Sequence, residues 1–118
     1  MMSLDNIEEI ASFIVADGKG ILAADESNPT CGKRFDSIGV ESTEENRRDY
    51  REMLFRSKGI KGNIGGVILF DETIRQSAED GSLLRDLISE QGALPGIKVD
   101  KGLKPIEDCP GRTVYVSL

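Results

Sequence analysis

The sequence predicts an α/β fold built on a parallel sheet, with the elements in the order strand, helix, strand, helix, strand. Three observations carry that prediction. Short runs at Ile21–Ala24, Ile64–Phe70 and Gly96–Asp100, the first two uncharged, are flanked by glycine, asparagine or proline, as buried strands are. Segments with apolar residues at helical spacing separate those runs. The second run is apolar on both faces, which marks a strand in a sheet covered by helices. Right-handed crossovers follow from that alternation.

Taken in order, Leu4, Ile7, Ile10, Ala11 and Ile14 recur at helical spacing, with Ser3 or Asp5 as cap and Asp17-Gly18 as the stop. The first strand follows. After Asn28-Pro29 a short helix is expected from Thr30, as N-cap, to about Ser37, with Gly39 ending it. Ser42 and Glu45 stand in capping-box relation at the head of a helix running to about Ser57, with Tyr50, Met53 and Leu54 as its apolar stripe. Residues 58–63 form a loop before the second strand. A short helical piece then runs to Asp80-Gly81, and a helix capped by Ser82 and stopped by Gly92 carries Leu83, Leu84, Leu87 and Ile88. In the third strand Ile97 and Val99 share one face and Lys98 and Asp100 the other. The tail, 111–118, is a short strand with no visible partner.

The chain has 118 residues and a net charge of −6, with its carboxylates dispersed. Nonspecific nucleic-acid binding is therefore not expected. No apolar run approaches the ~18 residues that span a bilayer, and no basic-then-apolar leader opens the sequence, so a cytoplasmic protein is expected. Two distant cysteines, Cys31 and Cys109, and the lack of any histidine exclude histidine-based triads and most zinc sites. Both thiols fit small side chains in a reducing compartment.

The chemistry-bearing residues stand at strand ends. Asp25, Glu26 and Ser27 follow the first strand, Asp71 and Glu72 the second, and Lys98 with Asp100 closes the third. In parallel α/β architectures such loops carry the site. Asp25 and Ser27 also fit a simple turn-capping role. Lys98 is expected to pair with Asp25 or Asp100, since an unpaired buried charge is costly, and such a set could equally be a structural ion pair.

Five stretches, Gly18-Lys-Gly-Ile-Leu-Ala-Ala-Asp-Glu-Ser27, Gly32-Lys-Arg34, Ser42-Thr-Glu-Glu-Asn-Arg-Arg48, Gly65-Gly-Val-Ile-Leu-Phe70 with Glu72-Thr73, and Gly96-Ile-Lys-Val-Asp-Lys-Gly102, together resemble class I fructose-bisphosphate aldolase in order and spacing. The resemblance implies residues 1–118 as the N-terminal portion of a TIM (β/α)8 barrel, incomplete here because the full barrel needs about 250 residues. It weakens over the divergent tail 112–118, which reads as a truncated or frameshifted copy. It implies cleavage of fructose 1,6-bisphosphate through a lysine Schiff base, in a homo-oligomer, with neither metal nor organic cofactor. Residue by residue, it places Asp25 at the catalytic aspartate, Ser27, Thr30 and Lys98 at one substrate phosphate, and Arg34 and Arg47 at substrate-binding positions. Arg47 equally fits an exposed helix arginine. The family's nucleophilic lysine, its second active-site lysine and its glutamate acids fall beyond residue 118, so this chain alone is expected to be inactive. A non-catalytic α/β phosphate-binding module and an interaction module are the alternatives.

Overall fold

The computed structural model describes residues 5–117. It contains α1 (Ile7–Ile14), β1 (Gly20–Ala24), α2 (Asn28–Asp36), α3 (Glu44–Phe55), β2 (Ile64–Leu69), α4 (Asp71–Ile74), α5 (Leu84–Glu90), β3 (Leu94–Ile97), β4 (Asp100–Pro105) and β5 (Thr113–Ser117). The first three strands form a parallel sheet in the order β1-β2-β3, with Ala24 opposite Leu69 and Leu69 opposite Ile97. Among the described residues neither outer strand has a further partner in this sheet, and the sheet does not close. An open parallel sheet crossed by helices is what part of a (β/α)8 barrel provides.

One face of the sheet is covered. Ala24, Val67 and Leu69 are buried with Phe55 of α3 and Leu84, Leu87 and Ile88 of α5. By strand alternation Ile21, Ala23, Gly66 and Ile68 belong to the other face. Ile21 is 47% exposed there, and Ile10, Ile14, Ile21, Ile68 and Leu94 line an open apolar groove of about 270 Å³. The end of α1 sits directly on β2: a Cβ at Gly65 would lie 2.3 Å from the Ile14 carbonyl oxygen. Glycine is required there for close approach, not for backbone conformation.

Several boundaries differ from expectation. Ser3 and Leu4 lie outside the described residues, and the cap of α1 is Asn6, whose side chain accepts from the Glu9 amide at 2.8 Å. The cap of α2 is Ser27 rather than Thr30, because Pro29 lacks an N–H to satisfy and suits the first helical turn. Thr43 caps α3 by accepting from the Asn46 amide, in place of the Ser42–Glu45 box. Its buried face carries Arg51 and Phe55, with Leu54 half-buried; Met53 is 66% exposed. The helical piece after β2 ends at Ile74, and the chain then turns back through the Ser77–Leu83 bridge. The α5 cap is Leu83, with no side-chain bond from Ser82.

The third strand begins two residues earlier than expected. Pro95 is tolerated because β3 is an edge strand and leaves one side without a ladder. Lys98 extends the pairing, its amide donating to the Leu69 carbonyl at 2.9 Å. At Asp100 the chain enters β4, which pairs antiparallel with β5. The tail strand therefore has a partner. No helix of the described residues is long and apolar enough to cross a membrane.

Candidate functional site

Parallel strands deliver their following residues to one end of the sheet, and the register sets which of them meet. Asp25 continues the Ile21–Ala23 face of β1, and Lys98 follows Ile97 across the sheet. The Lys98 ammonium lies 2.7 Å from Asp100 Oδ2 and 3.7 Å from Asp25 Oδ2, with all three side chains about a quarter exposed. The expected ion set is thus present, with both candidate partners engaged. The hydrogen bond that the Lys98 ammonium donates to Asp100 raises it above its ordinary range, which keeps it charged. A protonated amine attracts anions and is a poor nucleophile.

Ser27 and Thr30 form a second unit. Their hydroxyl oxygens lie 3.1 Å apart in the first turn of the nine-residue α2, and Ser27 makes no side-chain cap bond. One hydroxyl proton is used between the pair; the other, with the first-turn amides other than Pro29, is free to meet an acceptor ligand.

Arg34 and Arg47 have other commitments. Arg34, 62% exposed at its side chain, donates to Glu26 Oε2 at 2.6 Å. Arg47 is only 11% exposed and grips Glu72 with two bonds, 2.8 and 3.0 Å, while donating to the Ser42 carbonyl and hydroxyl at 2.9 and 3.1 Å. The alternative of an exposed helix arginine is therefore wrong: Arg47 ties α3 to α4. The Glu72 hydrogen bond raises it, and Glu72 is correspondingly lowered.

Glu26, between the two units, is the best-held residue of the loop. Its side chain is 8% exposed and receives Arg34, the Tyr50 hydroxyl at 3.1 Å and Arg51 Nη2 at 3.3 Å; Arg51 Nη2 also donates to its carbonyl at 2.9 Å. Burial pushes its carboxyl up, but its backbone hydrogen bond, Arg51, Tyr50 and Arg34 outweigh burial and hold it below the ordinary value. The expected stripe of Tyr50, Met53 and Leu54 does not single out Arg51, which lies four residues before Phe55 and shares its buried face.

A cleft of about 1010 Å³ contains none of the six expected site residues; Asn28, Thr43, Glu44, Asp71, Glu72 and Gln76 are among its walls. No group of carboxylates and thiols suited to a metal ion occurs among the described residues.

A family model described as "Fructose-bisphosphate aldolase class-I" matches residues 6–117. A probable fructose-bisphosphate aldolase class 1 of Xylella fastidiosa is 51% identical over 117 residues, 99% of this chain and 35% of its own. A fructose-bisphosphate aldolase of Drosophila melanogaster is 55% identical over 103 residues, covering 86% and 28% of the two chains. The solved structure of a Plasmodium falciparum fructose-bisphosphate aldolase, in complex with TRAP and a small-molecule inhibitor, superposes with a TM-score of 0.84 at 46% identity, over 92% of this chain and 31% of that one. The chain spans about a third of the length of the curated relatives it matches.

Proposed function

This chain belongs to the class I fructose-bisphosphate aldolase family, and from that membership we propose that it carries the phosphate-binding and hydroxyl-activating part of an aldolase acting on fructose 1,6-bisphosphate. The observation that carries the reading is the Asp25–Lys98–Asp100 cluster at the carboxyl end of parallel strands, with the Ser27–Thr30 hydroxyl pair on the loop beside Asp25. Retro-aldol cleavage needs a base or orienting acceptor for the C4 hydroxyl, cations and hydroxyls for the phosphates, and a nucleophilic amine. Asp25 is assigned to the first task. Lys98, Ser27 and Thr30 are assigned to one phosphate, and Arg34, the most exposed of the guanidines discussed, to a substrate anion.

Arg47 contributes indirectly, by fixing the strand-end loops through Glu72. The Schiff-base lysine is assigned to a later part of the barrel. Neither metal nor organic cofactor takes part in this reading, and the working enzyme is a cytoplasmic homo-oligomer.

The test is borohydride reduction in the presence of dihydroxyacetone phosphate, read by intact mass and peptide mapping. The reading expects no adduct on this chain, beside full labelling of a complete class I aldolase. An adduct on Lys98, Lys101 or Lys104 would relocate the covalent centre into this chain.

A further inference from the structure

We propose that Glu26 is a positioning residue: it fixes the β1–α2 loop so that Asp25 faces Lys98 and the Ser27 hydroxyl meets Thr30. The inference rests on the reading of those neighbours as substrate ligands. It concerns a residue whose own side chain is turned away, into the protein, toward α2 and α3.

The loop has few other anchors. β1 ends at Ala24, and Ser27, although it caps α2, makes no side-chain bond to the helix amides. Between them, Glu26 is held at two levels by one guanidinium. Arg51 Nη2 donates to its carbonyl at 2.9 Å and to its carboxylate at 3.3 Å. The first contact fixes the Glu26–Ser27 peptide plane, and the second fixes the side chain. Tyr50 and Arg34 complete the carboxylate from α3 and α2.

Arg51 itself cannot drift. It is 1% exposed and sits one helical turn from Phe55, which is fully buried in the core beneath the sheet. The packing of α3 is thereby transmitted to the loop. A buried carboxylate and guanidinium that served stability alone could be replaced by apolar side chains. This pair instead joins one loop residue to the helix behind it, and the residues on either side of it in sequence belong to the Asp25–Lys98–Asp100 cluster and to the Ser27–Thr30 pair.

Two variants test this, Glu26→Gln and Tyr50→Phe, the second retaining both Glu26 and Arg51 in case the first fails to fold. Amide hydrogen exchange gives a readout that needs no ligand. Glu26→Gln is expected to speed exchange of the loop and first α2-turn amides, 25–31, at least tenfold, with the Val67 and Leu69 amides unchanged after correction for global stability. Tyr50→Phe should do the same at least threefold. Titration with inorganic phosphate gives the second readout, and its sign is diagnostic. Removing a carboxylate near an anion site strengthens anion binding through charge alone, whereas loss of positioning weakens it at least fivefold.

Uniform exchange changes, or phosphate affinity that rises or stays constant in Glu26→Gln, would overturn the proposal. If wild-type protein binds no phosphate, the substrate-site reading fails by itself, and the exchange pattern alone decides whether Glu26 fixes the loop.

Discussion

The seat of α1 on the sheet gives a sharp prediction, because it depends on one missing carbon. A Cβ built at Gly65 would lie 2.3 Å from the Ile14 carbonyl oxygen and 2.7 Å from the Ile14 carbonyl carbon and Cα. These are backbone atoms, so no rotamer change relieves them, and the end of α1 must move by about an ångström. Overpacking of that kind costs about 1–3 kcal/mol. At Gly66 the nearest atom is the Ile14 Cγ2 methyl at 3.0 Å, which a small side-chain adjustment can relieve, and at Gly20 nothing lies within 4 Å. The expected order of destabilisation is therefore Gly65→Ala well above Gly66→Ala, with Gly20→Ala within about 0.5 kcal/mol of wild type. Urea unfolding measures it, and faster amide exchange confined to α1 would accompany Gly65→Ala. Three equal midpoints would refute the seating of α1 on β2.

Other expectations follow from the same contacts. Arg47→Ala leaves Glu72 half-buried without its two-bond partner and should lower stability by about 1–3 kcal/mol in urea unfolding. Glu26 and Glu72 are both held below the ordinary value of 4.5, so the unfolded chain binds more protons than the folded one in that region. Stability should be full above 4.5, fall as pH drops below it, and fall less steeply in Glu72→Gln. Cys109 is exposed, whereas Cys31 is buried and its thiol is pushed up by that burial. An aromatic disulfide reagent should accordingly titrate one thiol fast and the second only at the rate of unfolding.

The alternation of strands and helices was legible because each strand is a short apolar run stopped by glycine, proline or a carboxylate. The strand-end cluster was legible for a related reason: period-two alternation puts Lys98 and Asp100 on one side, and parallel register brings Asp25 to them. Other features depended on distant partners. β4, Asp-Lys-Gly-Leu-Lys-Pro, has no apolar alternation of its own and becomes a strand by pairing with β5. The start of β3 at Leu94 depends on an edge position where Pro95 costs no ladder bond. Arg51 would ordinarily be placed in solvent, and its burial follows from the carboxylate and carbonyl of Glu26, twenty-five residues earlier. The misplaced caps at Thr30, Ser42 and Ser82 each lie within three residues of the observed cap; at α2 and α3 neighbouring hydroxyls compete, whereas α5 starts at Leu83 with no side-chain cap at all.

The account stands most directly on whether the strand-end cluster binds a sugar phosphate. Phosphorus NMR titration of the chain with dihydroxyacetone phosphate, in wild type and in Lys98→Met, measures this. Saturable binding that weakens at least tenfold in Lys98→Met, about 1.4 kcal/mol, while urea midpoints stay close, is the predicted result. Equal binding by both proteins, or none by wild type, would contradict the assignment of Lys98 and its neighbours to the substrate phosphate.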